Sequence, residues 1–175
     1  RQGEGAKSLE VYKEVCERLL ELGFSRTDCI LALGGGVIGD LAGFVAATYL
    51  RGISFVGIPT TTLSQIDSSI GGKVAVNLDH VKNVLGNFYH PSRVLIDPDT
   101  LRTLPRRHFV NGLAEAIKAG LIGDPAILDL FEQPDVSAHV EEIIFRSLQV
   151  KKAVVEQDEK EQNLRRILNF GHTLG

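Results

Sequence analysis

Apolar positions along this chain switch between two rhythms. From residue 9 to 22, Leu9, Tyr12, Cys16, Leu19 and Leu20 recur at helical steps, which places them on one face of an amphipathic helix. Ser8 precedes that run as an N-cap and Gly23 ends it, because a serine oxygen accepts a first-turn N–H and glycine tolerates the left-handed cap. Short apolar runs at 29–33, 53–58 and 94–96 predict strands, with a further short strand at 74–77. Between the first two, the run through Leu41, Phe44, Val45 and Leu50 predicts a helix over 38–50. The small hydroxyl residues of 60–72 predict a loop or short helix, and Asp97-Pro98 stops the last strand.

Past residue 103 the strand pattern disappears. Pro105 opens a helix to about residue 121, Asp124-Pro125 caps another that ends near 133, and Ser137 caps a long one to about 157. Strands alternating with helices, then helices alone, predict an α/β fold: a parallel-sheet part followed by an all-helical part. The boundary falls near 98–105.

Composition narrows the partners. The net charge is −3, too small to draw in a nucleic acid or another polyanion. A membrane span over Ile30 to Leu50 has the right length but would bury Asp40 near its centre, at a cost of about 2.5–3.5 kcal/mol. No signal peptide is visible. Cys16 and Cys29 are too few for a disulfide scaffold and suit a reducing cytoplasm; their places on a helix face and a strand predict two buried thiols. The chain opens at Arg1, contains no methionine and stops at Gly175 without a capping residue, so we expect a fragment of a longer protein.

The candidate chemistry starts at Gly34-Gly-Gly-Val-Ile-Gly-Asp40, where a strand meets a helix. Glycines there let the backbone approach a ligand, and helix N-terminal N–H groups favour an anion such as a pyrophosphate. Gly34, Gly36 and Gly39 fit the dinucleotide spacing, but no acid ends the next strand. A P-loop is excluded because Val74 follows Gly72-Lys73 and Asp67 stands where its first glycine belongs. A purely structural glycine turn stays open. In the predicted helix 105–121, Glu115 and Lys118 share a stripe with His108 and Asn111, opposite Phe109, Leu113, Ala116 and Ile117. That stripe is either a solvated face with an ion pair or the wall of a site.

The long helix carries a sharper signal. Its apolar stripe runs through Val140, Ile144, Ser147, Lys151 and Val154, so Lys151 falls among residues expected to be buried. A lysine there either snorkels to water or meets a polar partner. His172 alone is more readily structural than a ligand, and would need a carboxylate such as Glu115 beside it to hold a metal. Asp67, Lys73, Lys82, Asn83, Arg51 and Arg165 stand at loop or glycine-rich positions. Together they suit an anionic substrate, and singly each reads as a surface residue.

The ordered series Gly34–Asp40, Arg51-Gly52, Pro59-Thr60-Thr61, Asp67–Lys73, Lys82-Asn83, Gly112–Lys118, Asp158-Glu159 and Leu168–Thr173 resembles the 3-dehydroquinate synthase family of sugar phosphate cyclases. The likeness spans essentially the whole chain. It implies an NAD-binding α/β domain at 1–100 and a helical metal- and substrate-binding domain at 101–175. By similarity, NAD would lie against Gln2 to Lys7, where Glu4 and Lys7 match, and against Gly36, Val37, Ile38, Gly39 and Asp40. Thr60, Thr61, Lys73, Lys82, Thr100, Leu101, Arg102 and Thr103 would complete that site. Glu115 and His172 match metal ligands for Zn2+ (or Co2+). Asp67, Lys73, Asn83, Lys118, Lys151, Arg165 and Asn169 match substrate contacts, and Arg51 matches a residue that reaches a neighbouring subunit.

The implied reaction converts 3-deoxy-D-arabino-heptulosonate 7-phosphate to 3-dehydroquinate and phosphate, in a cytoplasmic homodimer. Val74 and Asn163 depart from the family pattern, where Thr and Gly are usual, and Ala116 and Ala119 replace bulkier residues. No charged site residue is lost. A second and a third histidine of the family lie past His172 and are absent here. The alternatives are a related cyclase of the 2-deoxy-scyllo-inosose or valiolone type, a glycerol-dehydrogenase-like enzyme, and a nucleotide-binding module without catalysis.

Overall fold

Strands β1 (Cys29–Gly34) and β2 (Ser54–Pro59) pair in parallel, from Cys29↔Ser54 to Gly34↔Pro59, and helix α2 (Gly36–Thr48) connects them. A two-residue strand (Arg93–Val94) extends the sheet beyond β2, again in parallel. This is a computed structural model, and it describes residues 3–171. By its internal contacts the chain divides into two units. The first takes the residues up to Pro59 together with Gly72–Asp97, and the second takes Thr60–Gly71 and the described residues from Pro98 onward.

In the first unit, α2 lays Leu41, Val45 and Ala46 onto Ala32 of β1 and Phe55 of β2. Burying each large apolar side chain there contributes about 1.5–3 kcal/mol. Helix α1 (Leu9–Glu21) packs its half-buried stripe of Leu9, Tyr12, Cys16 and Leu19 against the same core. Ser8 caps it as expected, accepting from Val11 N at 3.4 Å. The opposite face of β1 presents Leu31 and Leu33 to solvent, although parallel sheets are usually covered on both faces.

An antiparallel hairpin, β3 (Lys73–Leu78) and β4 (Val81–Phe88), completes the unit. Its first strand was expected and its second was not. Nearly every residue of β4 is exposed, so the strand lacks the alternation of a half-buried one. We number the short strand at Arg93–Val94 β5. Cys29 is exposed and Cys16 only half-buried, contrary to the expectation of two buried thiols. Cys29 is the first residue of β1, before the strand runs under α2.

The second unit is helical among its described residues: α3 (Arg106–Ile122), α4 (Ala126–Phe131) and α5 (Val140–Gln157), with short 3-10 turns at Pro98–Thr103, Val136–His139 and Leu164–Asn169. Ile127 of α4 and Ile143 of α5 are fully buried. The hydroxyl-rich stretch belongs here and forms a wide π-type turn at Ser64–Ser68. Thr61 and Ser64 fasten its start reciprocally: Ser64 N donates to Thr61 Oγ1 at 3.2 Å and Thr61 N to Ser64 Oγ at 3.1 Å. Gln65, fully buried, donates to Thr100 Oγ1 at 3.0 Å.

Helix α3 is turned differently from its hydropathy pattern. Its buried positions are Gly112, Leu113, Ala116, Ala119 and Gly120, and Ile117 is exposed. Glu115 and Lys118 are largely buried instead of solvated. Small residues set this face because they admit close neighbours: a Cβ on Gly112 would lie 2.4 Å from Leu63 N. No helix among the described residues is long and apolar enough to cross a membrane.

Candidate functional site

Lys151 is the chemical centre of the second unit. Its place on the inward stripe of α5, with Ile144, Ser147 and Val154, leaves it 8 % exposed. A buried ammonium needs strong acceptors, and both come from the π-type turn. Lys151 Nζ donates to Asp67 Oδ1 at 2.7 Å and to the Asp67 carbonyl at 2.5 Å. Burial pushes the Lys151 pKa down, the Asp67 carboxylate pulls it back up, and Arg165 and Lys118 add to the depression. The net direction is down.

On α3, Glu115 and Lys118 form an ion pair one turn apart. A cavity of about 10 Å³ is lined by Asp67, Glu115, Lys118, Ser147 and Lys151, roughly the space of one water. Sequence reasoning assigned Ser147 no role. It is 1 % exposed, donates to Ile143 O at 2.7 Å and lines this cavity. The signal that could have found it is its position in the stripe, one turn before Lys151.

Arg165 is 2 % exposed and donates to Gly71 O at 3.0 Å and to Glu159 O. Asn169 stands exposed on the following turn and donates to Glu161 Oε1 at 3.1 Å. Thr100 is held by Gln65, Leu101 is buried, and Arg102 and Thr103 are exposed. Thr60 and Thr61 are half-buried at the entry to the π-type turn.

A second cluster lies in the first unit. Helix α2 begins after Gly35 with no side-chain cap and no acidic residue in its first turn, so its leading N–H groups are suited to an anion. A Cβ on Gly34 would sit 2.6 Å from Ile38 Cγ1, so glycine lets the strand end pass close under the helix start. Asp40, one turn on, accepts from Lys7 Nζ at 2.8 Å, and the same ammonium donates to Asn83 Oδ1 at 2.5 Å. Lys7 is 4 % exposed.

Asn77 ties the cluster together, and sequence reasoning missed it. Its amide donates to Glu4 Oε1 at 2.9 Å, and its carbonyl accepts from Asn83 N at 2.9 Å, where Asn83 takes a φ of 56°. The hydrogen bond from Asn77 holds the Glu4 carboxyl below the usual range, aided by the charges of Lys7 and Lys82 and opposed by burial. Its signal is a polar residue closing the apolar run of β3. A polar hollow of about 230 Å³ opens beside Glu4, Lys7, Ser8, Asn77 and Asp79. The structure thus brings together Glu4, Lys7, Asp40, Lys82 and Asn83. Lys73 is exposed at the start of β3, and Arg51 is exposed in the turn after α2 with a φ of 69°.

Gln2 and His172 lie outside the described residues. Among the described residues no group of three His, Cys, Asp or Glu side chains is placed to hold a metal, and of the two expected ligands Glu115 alone lies among them.

The family model described as 3-dehydroquinate synthase N-terminal matches residues 1–111, and the one described as 3-dehydroquinate synthase C-terminal matches residues 112–175. The chain is 51 % identical to a 3-dehydroquinate synthase of Clostridium perfringens (strain 13 / Type A), over 99 % of this chain and 51 % of that protein. The fold resembles a 2-deoxy-scyllo-inosose synthase solved with carbaglucose-6-phosphate, NAD+ and Co2+, at a TM-score of 0.88 and 31 % identity over 99 % of this chain and 50 % of the other. It equally resembles a 2-epi-5-epi-valiolone synthase from Streptomyces hygroscopicus subsp. jinggangensis 5008 solved with NAD+ and Zn2+, at 0.88 and 36 % over 98 % and 50 %. The chain therefore spans about half the length of these relatives. With both family models matched end to end, the chain belongs to the 3-dehydroquinate synthase family.

Proposed function

We propose that the protein containing this chain converts 3-deoxy-D-arabino-heptulosonate 7-phosphate to 3-dehydroquinate and phosphate, as a cytoplasmic homodimer. Bound NAD would supply reversible oxidation of a substrate hydroxyl, and Zn2+ or Co2+ would polarise the oxygen concerned. The uncapped start of α2 and the Glu4–Lys7–Asp40 cluster suit the pyrophosphate and a ribose. Lys73, Lys82, Thr60, Thr61 and residues 100–103 belong to the same proposal by motif. Glu115 would give the metal one oxygen, with His172 as a further ligand.

The observation that carries the reading is the buried Lys151, paired with the half-buried Asp67 beside Lys118 and Glu115. An interior so rich in charge is costly to fold and is suited to an anionic, polyhydroxylated ligand. Lys151, Lys118 and Arg165 would hold the sugar-acid end and its hydroxyls. Asn83, Lys73 and Arg51 would meet the phosphate, and Asn169 a hydroxyl. Identity of 51 % to a named 3-dehydroquinate synthase, against 31 % and 36 % to the other cyclases, favours the heptulosonate substrate. The test is phosphate release from that substrate with NAD and Zn2+, followed by product identification. A product other than 3-dehydroquinate would move the reading to a related cyclase. NAD binding without turnover would leave a nucleotide-binding module.

A further inference from the structure

Asp158 follows α5 and closes the loop that carries Arg165. Its carboxylate accepts from Gln162 N at 2.9 Å through one oxygen, and from Asn163 N at 2.7 Å and Arg165 N at 2.9 Å through the other. The bond from Arg165 N leads in holding its carboxyl below the usual range. Little apolar packing supports this loop: Gln162 and Asn163 are exposed, as are Leu164, Ile167 and Phe170. Polar bonds must therefore fix it. Within it, the Arg165 guanidinium reaches the carbonyls of Glu159 and Gly71, and Glu161, at a φ of 57°, accepts from Asn169.

We propose that Asp158 is a positioning residue whose carboxylate clamps the 158–165 loop, and so sets the direction in which Arg165 and Asn169 meet an anionic substrate. The inference rests on the substrate-binding reading of Arg165 and Asn169 given above. Asp158 itself touches no reacting group. Its effect passes through the main-chain N–H groups of Gln162, Asn163 and Arg165, which would turn to water if the loop were unclamped. Misplacing a binding group by about 1 Å costs on the order of a hundredfold in rate, whereas freeing a loop outside the apolar core costs little stability.

The test uses the full-length protein with Asp158→Ala, Asp158→Asn, Arg165→Ala and the Asp158→Ala/Arg165→Ala pair. Phosphate release from the heptulosonate phosphate and amide exchange at residues 162–165 are both measured. Asp158→Ala should lower kcat/KM by about 10–100-fold with little change in unfolding midpoint. It should cost less than about threefold once Arg165 is already alanine, because coupled residues are not additive. Asp158→Asn, which keeps an acceptor oxygen, should recover part of the loss. Exchange at 162–165 should accelerate at least about tenfold in Asp158→Ala. Additive losses, or unchanged exchange, would overturn the proposal. If the unsubstituted protein shows no turnover, the cyclase reading falls, and exchange alone decides the clamp.

Discussion

Lys151 Nζ bonds both the carboxylate and the carbonyl of Asp67, a residue 84 positions earlier in the chain. One side chain thus fastens α5 to the wide turn at Ser64–Ser68. Removing one partner of such a pair leaves the other charge uncompensated, and that penalty exceeds the worth of the pair itself.

Asp67→Ala should therefore destabilise the fold by about 2–4 kcal/mol, and adding Lys151→Met should restore much of the loss. Urea unfolding of the single and double variants measures both. A double variant no more stable than Asp67→Ala would show that the turn, and not the buried charge, carries the effect.

The same lysine gives stability an alkaline dependence. Its folded pKa lies below the ordinary value near 10.4 because burial disfavours the charged form. The unfolded chain then binds more protons than the folded one between the two values, so stability from this group rises with pH across that window. Below the window its contribution is constant. Unfolding free energies of the unsubstituted protein and Lys151→Met, compared from neutral pH to pH near 10.4, should converge in favour of the unsubstituted protein as pH rises. A flat difference would mean the Asp67 bonds cancel the desolvation.

What the amino-acid pattern could reveal depended on how each face is built. The α5 stripe is made of Ile143, Ile144, Val154 and Val155 around Lys151, large residues whose period is visible in one dimension. The α3 face is made of glycine and alanine, which weigh little in a hydropathy pattern although they permit the closest approach. The pattern accordingly shows only part of that face: Leu113 and Ala116 lie inward as it predicts, Ile117 is exposed, and the largely buried Glu115 sets aside the solvated-face alternative for its stripe. β4 was invisible because a strand exposed on nearly every residue has no alternation to read. Asn77 joins Glu4 to Asn83 across stretches far apart in sequence, and spacing alone cannot report such a contact.

Gly112 provides a direct test of the α3 packing. Its added Cβ would meet Leu63 N at 2.4 Å and Thr62 Cβ at 2.6 Å, and a main-chain nitrogen has no rotamer to escape into. Gly112→Ala should destabilise by about 1–3 kcal/mol, despite alanine's better helix propensity. Gly39→Ala in α2, where nothing lies within 4 Å, should instead be neutral or stabilising by about 0.5–1 kcal/mol. Urea midpoints read both. Equal behaviour of the two variants would contradict the close approach of α3 to the 60–71 stretch.

The start of α2 yields the last expectation. The leading N–H groups of this 13-residue helix have no side-chain cap, its first turn carries no acid, and Asp40 beyond it is neutralised by Lys7. A pyrophosphate set there would accept those N–H groups and gain from the helix dipole. Gly36→Val puts a branched side chain on the residue whose backbone the ligand must approach. NAD affinity should fall at least about tenfold, since both steric room and N–H access are reduced. The far-ultraviolet circular dichroism and the Lys151–Asp67 bonds, in the other unit, should be unaffected. Fluorescence titration with NADH of the folded variant against the unsubstituted protein decides the point. Unchanged affinity in a folded Gly36→Val protein would move the pyrophosphate away from this helix and leave Gly34–Gly36 as a turn required only for packing β1 against α2.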